Sequence, residues 1–124
     1  MLIAAAPAAG AAPRGLEREP ELQPALSAIR ERYRQPLSNA WLARSCGLSV
    51  DHFIKIFRNS IGQTPAQYIL ELRLSQAAQK LITTDDSIDA IADGCGFPNR
   101  YYLSRVFAKR MGSPPAAYRK RAGR

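Results

Sequence analysis

The chain has 124 residues, with 18 Lys and Arg against 10 Asp and Glu, a formal net charge of +8, and two cysteines. That length holds one compact domain, or two very small ones sharing a helix, and excludes a separate catalytic domain. The positive excess favours a polyanionic partner, and no run approaches the roughly 18 apolar residues of a membrane-spanning helix.

The first 13 residues, MLIAAAPAAGAAP, are alanine-rich but lack the charged start of a secretory signal, and Pro7, Gly10 and Pro13 interrupt the apolar run. Residues 1–23 therefore read as a flexible Ala/Pro-rich lead. A first helix is expected over residues 24–34, with Pro24 in its first turn and Pro36 as its stop. Ser38 is a good N-cap for a second helix reaching Cys46, where Gly47 supplies a left-handed turn. Ser49 caps a third helix over 49–61, whose Phe53, Ile56, Phe57 and Ile61 form an i, i+3, i+4 core stripe. Thr64 and Pro65 open the longest helix, which lasts to about Thr83 and spans roughly 25 to 30 Å at 1.5 Å per residue. Ser87 caps a fifth helix, Gly96 makes a second turn, and a sixth helix over 98–111 carries Leu103, Val106, Phe107 and Met111. Ser113, Pro114 and Pro115 start a short seventh helix through Tyr118. No strand alternation appears, so the expected fold is all-α with about seven helices.

Much of this pattern occurs twice. LARSCGLSVDHFIKIFRNSIGQTPAQY and IADGCGFPNRYYLSRVFAKRMGSPPAAY share a turn glycine, a helix aromatic and a Gly-x-x-Pro-x-x-Tyr exit. Two helix-turn-helix subdomains follow, over 24–63 and 85–121, joined by a linker helix over 64–84. Cys46 and Cys95 hold equivalent places before the turn glycines, as small apolar wall residues. With no second Cys or His at ligand spacing there is no basis for a metal, and a reducing cytoplasm suits the two thiols. Tyr68 and Tyr118 close the two cores, and Trp41 is expected partly buried against the first helix.

The second helix of a helix-turn-helix enters the major groove, its N-terminal half reaching base edges while flanking groups hold phosphates. Outward positions are Asp51, His52, Ile54, Lys55 and Arg58 on the third helix, and Asn99, Arg100, Tyr101, Ser104, Arg105 and Lys109 on the sixth. Arg100 and Arg105 have the chemistry for bidentate guanine contact. Asp51 suits the positive helix end at least as well as a cytosine. After Asp93 there is no acidic residue, whereas eight Lys and Arg follow, from Arg100 to Arg124.

The string IADGCGFPNRYYLSRVFAKRMGSPPAAYR resembles the signature of the AraC/XylS family of bacterial transcription regulators in its I-A-x-x-x-G-F opening, S-R-x-F centre and G-x-x-P-x-x-Y-R close. Arg73, Leu74, Ala77 and Leu81 are similar to that family's linker helix, and the resemblance covers about residues 25–121. It implies a sequence-specific double-stranded DNA binder, with base contacts from Asp51, Ile54, Lys55, Arg100, Tyr101, Ser104 and Arg105. His52, Arg58, Asn99 and Lys109 are then candidates for phosphate contact. The partners implied are duplex DNA, bound as a monomer, and RNA polymerase, with no cofactor. Asn39, Ile54 and Tyr101 depart from the family's usual residue types, and the family's N-terminal sensing domain has no counterpart in this sequence. Two other classes stay open: a nonspecific nucleic-acid binder, and a protein-interaction module or inactive detached C-terminal domain with a basic face. No nucleophile–base pair, carboxylate pair or metal cluster supports an enzyme.

Overall fold

A computed structural model describes residues 20–123. A single 3-10 turn, Pro20–Leu22, leads into seven α-helices: α1 Gln23–Arg32, α2 Asn39–Ser45, α3 Val50–Ile61, α4 Pro65–Thr83, α5 Ile88–Gly94, α6 Arg100–Met111 and α7 Pro115–Arg121. No strand occurs among the described residues, as the missing alternation requires. Most of the expected lead, residues 1–19, lies outside them. Its end differs from expectation, because Leu22 is fully buried and ties the 3-10 turn to the core. α1 also ends earlier than the expected residue 34, with Tyr33–Pro36 leaving as an irregular segment.

Local chemistry sets the helix starts. Ser38, Ser49 and Ser87 each accept a hydrogen bond from the backbone N–H three residues on, at 3.0, 3.2 and 3.0 Å, satisfying one orphan donor per helix. Thr64 and Gln67 form a reciprocal capping box, with Thr64 N–H donating to Gln67 Oε1 at 2.9 Å and Gln67 N–H to Thr64 Oγ1 at 3.1 Å. At the matching place in the second repeat, Pro114 is the N-cap and has no side-chain bond to give. Ser113, expected to help start α7, instead accepts a hydrogen bond from Arg121.

The chain divides into two units, the first made of the described residues up to Arg32 with Leu37–Ile69, the second of Tyr33–Pro36 with the residues from Leu70 onward. In the first, Leu26, Ile29, Leu42, Phe53 and Phe57 are buried, and Tyr68 meets Phe57 edge-on at 5.6 Å. Trp41 is half-buried, with the Arg32 guanidinium 5.5 Å from its ring. In the second, Leu74, Leu81, Ile91, Cys95, Leu103 and Phe107 form the core, and Tyr118 meets Phe107 edge-on at 5.2 Å. The two exit tyrosines thus do the same structural job, closing each core with an aromatic pair. Both cysteines are free; Cys95 is fully buried, and that burial pushes its thiol pKa up, as befits an apolar wall residue.

Two arginines that add to the basic count are committed to the second unit's own backbone. Arg73 donates from Nε to the Tyr33 carbonyl at 2.6 Å and from Nη2 to the Gln35 carbonyl at 2.9 Å, anchoring the Tyr33–Pro36 segment. Arg119 donates from Nε to the Leu81 carbonyl at 2.9 Å and from Nη2 to the Thr84 carbonyl at 3.1 Å, where α4 runs out of internal donors. Both turn glycines have left-handed backbone, Gly47 at φ +68° and Gly96 at φ +89°. Only the second is also crowded: a Cβ at Gly96 would lie 2.8 Å from the Tyr33 carbonyl oxygen and 2.9 Å from Arg73 Nε, whereas one at Gly47 would meet nothing within 4 Å.

Candidate nucleic-acid interface

α3 and α6 each bury one face and expose the opposite one. On α3, Phe53 and Phe57 are buried, so residues a half-turn away face outward. Asp51, Ile54, Lys55, Arg58 and Asn59 line one shallow concave strip, the i, i+3, i+4, i+7, i+8 set of a single helical face. Sequence reasoning reached the first four and missed Asn59, which the same periodicity would have found. Ile54 is half-buried, so its exposed part is an apolar patch amid polar neighbours. His52 is exposed, to one side of that strip, with its backbone N–H held by Ser49.

With the N-caps Ser49 and Asn99 aligned, the corresponding strip of α6 is Tyr101, Ser104, Arg105, Ala108 and Lys109. Tyr101 is 70% exposed, unusual for a large aromatic unless its ring serves a contact. Ser104 is half-buried, while Arg105 and Lys109 are exposed. The turn before α6 is one residue longer than that before α3, because Pro98 has no counterpart between Leu48 and Ser49.

Two of the candidate side chains are already engaged. Arg100 donates from Nη2 to the Tyr101 hydroxyl at 3.2 Å, lies 5.0 Å over the Tyr101 ring, and pairs with Asp89 of α5 at 3.7 Å. The Tyr101 hydroxyl and then the Asp89 carboxylate raise the Arg100 pKa, so this guanidinium stays charged and draped along α6. Asn99, expected to face phosphate, spends its side-chain oxygen on the N-cap, accepting from Tyr102 N–H at 2.9 Å. Arg105 stands differently: its guanidinium lies 5.2 Å from the Tyr102 ring, with no carboxylate paired to it among the described residues. Further along the basic segment, Arg110 pairs with Glu71 and Arg119 caps α4. The side chains of Lys109 and Lys120 make no hydrogen bond or ion pair within the described residues.

Among the described residues no cluster of His, Cys, Asp or Glu could hold a metal, and no helix is long and apolar enough to cross a membrane. The chemistry on offer is two helix faces with N-termini held by side-chain caps, presenting cations, hydroxyl and amide groups and the apolar patch of Ile54. Such faces suit base edges and phosphates of a duplex groove.

A family model described as a helix-turn-helix domain matches residues 42–121. The MmsAB operon regulatory protein of Pseudomonas aeruginosa is 38% identical over 93 residues, covering 75% of this chain and 30% of that protein. The HTH-type transcriptional activator RhaR of Mannheimia succiniciproducens is 35% identical over 101 residues, 82% of this chain and 37% of the activator. The chain thus spans about a third of the length of these curated relatives. Among solved structures, an AraC-type transcriptional regulator from Chromobacterium violaceum superposes with a TM-score of 0.79 at 30% identity, covering 87% of this chain and 96% of that one. The DNA-binding domain of the global transcriptional factor AdpA, solved with a target DNA, gives a TM-score of 0.74 at 32% identity, covering 82% of this chain and 90% of that one.

Proposed function

Because the chain belongs to the AraC/XylS family of helix-turn-helix proteins, we propose that it binds double-stranded DNA sequence-specifically and regulates transcription. α3 and α6 enter successive major-groove faces of one duplex, roughly 34 Å apart, and the chain acts as a monomer. The observation that carries this reading is the doubled motif itself: two capped helices, each burying a pair of core residues and exposing a strip of groove-compatible side chains. The AdpA domain, similar over 82% of this chain and solved with its DNA, supports the same reading.

Base contacts fall to Asp51, Ile54 and Lys55 on α3 and to Tyr101, Ser104 and Arg105 on α6, with Arg100 bracing Tyr101. Arg58, Asn59 and Lys109 sit where phosphate contacts would hold each helix in register. His52 and Asn99 add backbone contacts at the helix starts. The activity is binding rather than catalysis, its setting is the cytoplasm, and RNA polymerase is the further partner of such a regulator.

Arg105→Ala tests the assignment. It should weaken binding to the preferred duplex by about 1 to 3 kcal/mol and leave binding to random duplex almost unchanged, since a guanine-reading arginine discriminates while a phosphate contact does not. Equal losses on both duplexes, measured by titration at one fixed salt concentration, would remove Arg105 from base readout.

A further inference from the structure

The second unit contains an aromatic pair, Phe97 and Tyr102, where the first has Leu48 and His52. Phe97, 5% exposed, lies 6.2 Å from the Tyr102 ring at an interplanar angle of 39°, and the Arg105 guanidinium lies 5.2 Å over the same Tyr102 ring. The backbone of Tyr102 is fixed as well, its N–H being the group that Asn99 caps at 2.9 Å. The ring therefore packs against a core phenylalanine, and the helix cap fixes the backbone that carries it. In the first unit, Leu48 and His52 stand at the places of Phe97 and Tyr102, and Lys55 at that of Arg105.

A guanidinium can stack one face on an aromatic ring while its in-plane N–H fork stays open, and it is the fork that meets guanine O6 and N7. An unbraced lysine has neither the fork nor the platform. We propose that Tyr102 is a positioning residue that holds the Arg105 guanidinium ready for guanine, so that sequence discrimination is concentrated in the second unit. This rests on the reading of Arg105 as a base contact. Stacking lowers the rotamer entropy that binding must remove, and its benefit appears only where the guanidinium edge finds the right base.

The test uses the full chain and two duplexes: the preferred site, and that site with the guanine pair read by Arg105 replaced. Tyr102→Leu should reduce the ratio of the two affinities by about three- to fivefold, the scale of a cation–π hold at an exposed site, while random-duplex affinity stays within about twofold. Tyr102→Phe, which keeps the ring, should retain the wild-type ratio. In an Arg105→Ala background, Tyr102→Leu should produce no further change, because the ring then has nothing to position. Should the leucine variant fold poorly by circular dichroism, Tyr102→Met gives the same comparison with a more adaptable side chain. An unchanged ratio in Tyr102→Leu, or an equal drop with and without Arg105, overturns the proposal. Failure of the parent reading shows separately, as an Arg105→Ala ratio equal to that of the wild type.

Discussion

Gly96→Ala is expected to destabilise the second unit by about 2 to 5 kcal/mol, combining the roughly 1 to 2 kcal/mol cost of left-handed backbone for an L side chain with the cost of overpacking. The collision is with groups that cannot swing aside: the Tyr33 carbonyl oxygen at 2.8 Å and the Arg34 Cα at 3.1 Å are backbone. Arg73 Nε, at 2.9 Å, belongs to a guanidinium held by two carbonyls, so moving it would break the anchor of the Tyr33–Pro36 segment. Gly47→Ala at the matching turn meets open space and should cost only about 1 kcal/mol, because alanine's conformational strain is partly offset by its less disordered unfolded chain. Urea unfolding followed by circular dichroism, with amide exchange on Ile91 and Leu103 to report the second unit, makes the comparison. Equal costs at both glycines would show that the close approach at Gly96 is not what constrains it.

The larger effect is expected in the salt dependence of binding. If about six cations neutralise phosphates, log affinity should fall with log salt at a slope near −5, and with eight nearer −7, at about −0.9 per contact. Between 50 and 200 mM salt that is a loss of roughly a thousandfold or more. The formal charge of +8 overstates what is available, because Arg73 and Arg119 serve the protein's own carbonyls and Arg110 is paired with Glu71. Among the described residues, Arg44, Lys55, Arg58, Arg105, Lys109 and Lys120 are exposed cations that can meet phosphate or base, as are Arg30, Arg32, Arg34 and Arg121. A slope shallower than about −2 would mean that these groups do not meet a phosphate backbone.

The difference between those arginines and the available cations marks where sequence reasoning ran out. Caps and stripes are local, so Ser38, Ser49, Ser87 and the Phe53/Phe57 and Leu103/Phe107 pairs were legible from spacing alone. Arg73 and Arg119 reach carbonyls 35 to 40 residues away, and no local pattern distinguishes such an arginine from one facing solvent. The same limit applies to Gly96, whose left-handed turn was readable but whose crowding comes from the Tyr33–Pro36 segment. Leu22 falls within the expected Ala/Pro-rich lead because a 3-10 turn carries no period long enough to notice. Within the site, the Tyr102 and Arg105 pair lies at i, i+3, a spacing legible in the sequence, whereas the contact of the guanidinium with the ring is not. Asn99 is exposed as its place at the helix start suggests, but the capping role of its side-chain oxygen shows only in the structure.

The most direct measurement is selection of the full chain on a random duplex library, followed by sequencing of the bound fraction. Two information-bearing blocks with centres about 10 base pairs apart are expected, as required when α3 and α6 read adjacent major-groove faces of one duplex, with the more sharply defined block under α6. A single block no longer than one helix can cover, or recovery of duplexes with no shared bases by a folded chain, would contradict two-helix recognition.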